Sequence, residues 1–177
     1  MKLRKINAAL SLVTTVLLLA HAITIAFWML SRGKIIPLGG HTLPKVLIWA
    51  TISHAFVSML LMILAHKDKK KKKGKLYPKL NVPTMVQRIS GVLLIIFTWL
   101  HIAGAMGVIT PPQVVHAIVP PLFFLMVMSH IAVSGSKAFI TLGIGNARFI
   151  KCADICTKVI CAITVIADII GFYIHVC

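Results

Sequence analysis

Residues 84–108 read TMVQRISGVLLIIFTWLHIAGAMGV. After Arg88 the stretch runs to Val108 without another Lys, Arg, Asp or Glu. Wound as a helix at about 1.5 Å per residue, an apolar run of about 20 residues satisfies its own backbone hydrogen bonds and crosses a hydrocarbon core about 30 Å thick. One ionisable side chain, His101, interrupts it well inside. The pattern recurs along the chain at about 7–30, 44–66, 118–142 and 152–175, which with 84–108 makes five transmembrane helices.

Composition leads to the same class. Of 177 residues, 59% are hydrophobic and 12% charged, and the mean hydropathy is +0.97. Soluble globular domains hold about 45–50% apolar and about 25% charged residues, and disordered chains far fewer apolar ones, so both are excluded. The expectation is an all-α polytopic membrane protein, one membrane domain over residues 1–177. Nineteen Lys and Arg stand against three acids (Asp68, Asp154 and Asp168), a net charge of +16. No soluble module is present to turn that excess into a nucleic-acid interface, and the basic residues lie at the ends of the apolar runs. They report topology. All but Arg32, Lys34 and Lys45 fall on one side, including a Lys-rich loop at 67–80, so the positive-inside rule puts the N-terminus in the cytoplasm and the C-terminus outside a cytoplasmic (inner) cell membrane. Met1 to Lys5 has the charge of a signal-peptide start, but the apolar run after it is too long and lacks a small-residue exit, so it reads as the first helix. The polylysine run 69–73 suits a solvated loop, anionic lipid headgroups or an acidic peripheral subunit.

Local signals refine the boundaries. Pro111-Pro112 and Pro120-Pro121 bracket a short segment, and proline is tolerated in a first helical turn, so the fourth crossing is expected to start at the second pair. Gln113 to Ala117 then form an outer-surface segment. Gly145 and Asn146 break the chain before the fifth helix, where Asp154 and Lys158 stand one turn apart as an interfacial pair. Trp28, Trp99 and Tyr173, near helix ends, read as interfacial belt residues. Cys152, Cys156, Cys161 and Cys177 match neither a redox nor a zinc spacing and read as small packing or lipid-facing residues. Asp168 is the one acid deep in a span, either bonded to helix backbone or a nearby Thr, or acting as a proton relay.

The histidines carry the chemistry. Of eight, four lie well inside four consecutive apolar segments, one in each: His21, His54, His101 and His130. A polar ionisable group in hydrocarbon costs a few kcal/mol or more when charged, so each must face the bundle interior and find a partner. Haem iron accepts two axial imidazoles from opposite sides, which needs two histidines at matching depth on facing helices. His54 and His130 each lie ten residues after an outer proline, Pro44 and Pro120, hence about 15 Å below the outer surface. His21 lies 16 residues beyond Lys5 and His101 13 beyond Arg88, about 20–24 Å above the inner surface. The depths therefore pair His54 with His130 and His21 with His101, the second pair nearer the outside, in a haem-binding four-helix core. Gly91, Gly104 and Ala105 about His101, Ser134 and Gly135 beside His130, and Ala50, Thr51 and Ser58 beside His54 are small enough to let a cofactor, or another helix, come close.

These residues resemble a family. Gln87-Arg88-Ile89-Ser90-Gly91 followed by the apolar run to His101 is similar to the R-x-[ST]-G…H helix of the cytochrome b membrane anchors of succinate dehydrogenase and fumarate reductase. His54-Ala55-Phe56 running on to His66-Lys67 resembles their second helix; His130 followed by Gly135, Phe139 and Leu142-Gly143-Ile144 resembles a later ligand helix; Arg4-Lys5 before the run to His21 resembles the first. Helix count, order and histidine placement match the five-helix, two-haem anchors over nearly the whole chain. The resemblance implies an electron-transfer subunit with no catalytic residue of its own. It would bind two b-type haems through His21, His54, His101 and His130 as iron ligands, with Arg88, Ser90 and Lys137 toward the propionates. A flavoprotein and an iron–sulfur subunit would dock on the cytoplasmic side, and electrons would pass between the iron–sulfur clusters and a membrane quinone, of the menaquinone type. Gln113 and His116 offer a donor and acceptor pair for the quinone carbonyls at the outer level. Two other readings stand beside this one: a haem-containing anchor of a different membrane oxidoreductase, and a small transporter using intramembrane histidines. Against the transporter, the chain has no inverted repeat, no paired broken helices and almost no acid to hold a cation.

Overall fold

The computed structural model describes residues 2–34, 39–40, 42–71, 82–108 and 113–176, without the side chains of 66–71, 83–84, 105, 113–117 and 176. Its five helices are α1 (Lys2–Leu30), α2 (Thr42–Lys71), α3 (Val82–Ala105), α4 (Gln113–Leu142) and α5 (Ala147–Val176), each long and apolar enough to span a membrane. The number and order of segments agree with the sequence reading, while several ends move for identifiable local reasons.

At the start of the chain, α1 already winds through Lys2, Arg4 and Lys5, and α2 continues into the expected loop as far as Lys71. The remainder of the expected loop, 72–80, lies outside the described residues. Helix α3 stops at Ala105, three residues early, because Gly107 takes a left-handed φ of 69° that closes the end. The Gly107 amide bonds the Gly104 carbonyl (3.0 Å) and the Val108 amide the Ala103 carbonyl (2.9 Å), a Schellman cap that only a residue without Cβ adopts cheaply. Gly143 ends α4 the same way, with Ile144 bonding back to Phe139. Helix α5 starts at Ala147 rather than at 152, since Asn146 caps it: the Phe149 amide donates to Asn146 Oδ1 at 2.9 Å.

The fourth crossing keeps its expected apolar span, Ile118–Leu142, but its helix does not begin at Pro120-Pro121; α4 starts at Gln113 and carries both prolines inside it, so 113–117 is helical and continuous with the span. Each proline removes one backbone bond to the carbonyl four residues earlier. Those two carbonyls belong to residues 116 and 117, within two turns of the helix end, where neighbours or water can satisfy them.

Helices α1 and α4 form the spine. They pack on each other and both on α5, while α2 packs on α1 and α3 on α4. Helices α2 and α3 make no extended contact with each other, so α2, α1, α4 and α3 stand as four corners with one side open. The core lies among α1, α3, α4 and α5: Val127, Met128 and Ile131 of α4 with Cys161 of α5, backed by Leu18, Leu19 and Ala22 of α1, Leu94 of α3, Phe123 of α4 and Val165 of α5. Apolar side chains such as Trp49, Phe56, Val92, Trp99 and Ile163 point outward, as lipid-facing residues do.

Small residues set the closest crossings, because between apolar helices in lipid van der Waals fit replaces the hydrophobic drive. A Cβ on Gly171 of α5 would stand 3.1 Å from Met29 Cβ and 3.4 Å from the Ala26 carbonyl oxygen of α1. Gly171→Leu is therefore expected to push α1 and α5 apart and to lower stability by about 1–3 kcal/mol, read as a lower midpoint in detergent or SDS unfolding. A midpoint equal to the parent protein's would show that the two helices do not meet there.

Polar contacts mark the two ends. At the Lys-rich end, Ser58 Oγ of α2 donates to Asn7 Oδ1 of α1 at 2.9 Å, and Lys137 Nζ of α4 donates to Gln87 Oε1 of α3 at 2.7 Å. At the opposite end the Trp28 ring lies 4.5 Å from His175, so Trp28 has a ring partner beyond the belt role read from sequence. Trp99 is largely exposed, in keeping with that role. The expected Asp154–Lys158 pair is formed.

Candidate histidine site

The four histidines within the spans occupy two levels, and the expectation that each faces the bundle interior is not met by His101, which is exposed, while His21, His54 and His130 are half-buried. Nearer the Lys-rich end, His130 leans from α4 onto α3: its Nδ1 lies 2.9 Å from Ser90 Oγ, beside the Gln87 backbone. Gly91 makes the approach possible, since a Cβ there would stand 3.3 Å from His130 Cε1. Ser90 is buried, and its hydroxyl donates to the Val86 carbonyl oxygen at 2.6 Å. At the same level on the other side of the bundle, His54 of α2 lies next to the backbone of Asn7 in α1, one turn from the Ser58–Asn7 bond. His54 Nδ1 is buried and has no hydrogen-bond partner among the described residues.

Toward the opposite end stand His21 of α1 and His101 of α3. The His101 ring stacks on Phe123 of α4 with centroids 5.0 Å apart and planes 25° from parallel, and Phe97 stacks on the same ring at 6.5 Å. His101 keeps an exposed face, and a Cβ on Gly104 one turn away would meet nothing within 4 Å. Near His21, Thr24 Oγ1 donates to the Ala20 and His21 carbonyls, which keeps that hydroxyl satisfied inside the span.

Electrostatic reach joins these side chains in pairs: His21 with His101, and His130 with His54. Helices α1 and α3 are not packed on each other, nor are α2 and α4, so each pair looks diagonally across the four-helix arrangement. These are the pairs that depth alone selected. Among the described residues no three His, Cys, Asp or Glu side chains converge on one point.

Other expected site residues stand differently. Ser90, read as a propionate partner, stands 2.9 Å from His130 Nδ1. Arg88 is exposed, and Lys137 reaches the Gln87 side chain. The side chains of Gln113 and His116 lie outside the described residues. Asp168 has no exposed surface, and neither carboxyl oxygen has a hydrogen-bond partner among the described residues, so the local bond considered from sequence is not formed. Cys161 is in the core as read, while Cys152 and Cys156 are exposed with sulfurs 3.9 Å apart. The Ser90–His130 contact was missed by sequence reasoning. Ser90 and Gly91 were legible as a small pair near one helix end, but nothing in the linear chain aims them at α4. Compared with family models, curated proteins and solved structures, the chain matches none.

Proposed function

We propose that this protein is a dihaem cytochrome b membrane anchor of the succinate dehydrogenase and fumarate reductase type. The observation that carries the reading is one histidine within each of four membrane-length helices of a five-helix bundle, with His21 in electrostatic range of His101 and His130 in electrostatic range of His54. A purely structural histidine in lipid needs one hydrogen-bond partner; four arranged as two facing pairs suit a macrocycle better.

The residues fit such a group. His54 and His130 would hold one haem and His21 and His101 the other, each pair drawn from two helices that make no extended contact with each other. The unpartnered His54 Nδ1 and the aromatic wall of Phe97 and Phe123 beside His101 favour the fit. When bound, b-type haems supply one-electron carriers between an iron–sulfur partner and a membrane quinone. The chain's own work is to fix the imidazoles, exclude water with the apolar side chains of α1 to α4, and place Lys137 and Arg88 at the Lys-rich end, where anionic substituents would emerge. Gln113 and His116, on the first turns of α4, remain our proposed quinone contacts at the opposite end.

Orientation follows from charge: the Lys-rich end faces the cytoplasm and docks the flavoprotein and iron–sulfur subunits there. A cysteine placed at Lys70 in a chain otherwise free of cysteine is expected to resist a membrane-impermeant maleimide in intact cells and to react after lysis. Labelling from outside intact cells would reverse the topology and remove the docking proposal. The functional reading itself is tested by a reduced-minus-oxidised spectrum with a haem assay of the purified chain. Two low-spin haems per chain are expected, and none would favour the transporter reading.

A further inference from the structure

Ser90 does more than fill space beside His130. Its oxygen stands 2.6 Å from the Val86 carbonyl oxygen, a separation two oxygens reach only with a proton between them. A serine hydroxyl has one proton, and that geometry spends it on Val86. The remaining contact, Ser90 Oγ to His130 Nδ1 at 2.9 Å, can then be a hydrogen bond only if the imidazole donates. The Gln87 carbonyl oxygen, 3.3 Å from Ser90 Oγ, is a second acceptor within reach of the same imidazole. We infer that Ser90 is a positioning residue: it accepts from His130 Nδ1–H, holds that tautomer together with the backbone beside it, and leaves Nε2 as a bare lone pair.

Three features act together. The i−4 back-bond locks the hydroxyl rotor, so the acceptor lone pair is fixed before any ligand arrives. Gly91, one residue on, lets the ring lie against the α3 backbone, and His130 Cε1 within 3.3 Å of where a Cβ would stand limits its tilt. The Ser134 hydroxyl is occupied by the His130 carbonyl at 2.6 Å and does not compete for the ring. At His54 the buried Nδ1 has no hydrogen-bond partner among the described residues, while the same imidazole stands within hydrogen-bond reach of the Asn7 backbone. The two ligands proposed for one haem are thus held differently, His130 against a serine hydroxyl and His54 against helix backbone.

This inference rests on the haem reading for its consequence but not for its geometry. A histidine whose Nδ1–H is hydrogen-bonded is a more basic ligand through Nε2 and favours the oxidised metal. The test has two arms. In the first, the full chain labelled with ¹⁵N-histidine is reconstituted in bilayers, and the His130 signals are identified by their loss in His130→Gln. A proton on Nδ1 is expected, with that resonance shifted in Ser90→Ala and restored in Ser90→Thr. In the second, redox titration of the haem-loaded chain is expected to show one midpoint raised in Ser90→Ala, the other unchanged, and the parent value recovered in Ser90→Thr. A proton on Nε2, a His130 Nδ1 resonance indifferent to Ser90→Ala, or two unmoved midpoints would each overturn the role of Ser90. A chain that binds no haem yet shows the Ser90-dependent Nδ1 proton would instead overturn the proposed function and leave the positioning intact.

Discussion

His54→Ala and His130→Ala are each expected to remove the same haem, and His21→Ala and His101→Ala the other, leaving one haem per chain in every single variant. The physical reason is bis-imidazole ligation: losing one axial nitrogen leaves iron five-coordinate and the macrocycle facing an unfilled space between helices that do not pack on each other. The effect is close to all-or-none at the level of low-spin haem, measured by pyridine haemochrome content and by the electron paramagnetic resonance signals of the two centres. The pairing is what the measurement decides. If His54→Ala and His101→Ala removed one signal in common, the diagonal arrangement read from His21–His101 and His130–His54 would be wrong.

Asp168 supplies the second large effect. A fully buried carboxyl group in an apolar span, with no hydrogen-bond partner among the described residues, is a standing cost to the fold. Asp168→Leu keeps the same branched skeleton and replaces both polar oxygens by methyl groups, so the variant is expected to be more stable by about 1–4 kcal/mol, the range found when buried ionic groups give way to well-packed apolar ones. Thermal or denaturant unfolding in detergent measures it. Equal or lower stability would mean that the carboxyl has a compensating partner in the membrane. A stabilised variant with impaired quinone-linked turnover would place Asp168 among groups kept for activity, in line with its reading as a proton relay.

The helices show where linear information suffices. The five apolar runs, their order, the clustering of basic residues at one end and the four histidines within the spans follow from composition and spacing alone, because a membrane span is a local property: about 20 residues either satisfy their own backbone in hydrocarbon or do not. Depth is nearly as local. Rise per residue is fixed in a helix, so counting from Pro44, Pro120, Lys5 and Arg88 was enough to sort the histidines into two levels. Helix ends were less legible. Asn146 starts α5 and Gly107 ends α3 through single side-chain and backbone bonds, and α4 accepted two interior prolines where a new helix start had been expected.

Azimuth belongs to the tertiary structure. Which way a side chain faces depends on which helices pack and how they cross, and α1 and α4 as a shared spine could not be deduced from segments of similar hydropathy. That packing brought Ser90 to 2.9 Å from His130 Nδ1, set Gly91 against the same ring, and buried Asp168 without a hydrogen-bond partner among the described residues. Along a helix the chain determines where each residue stands; across helices only the assembled bundle decides what it touches, because the contacts come from segments whose sequence separation, 40 residues for Ser90 and His130, carries no geometric constraint.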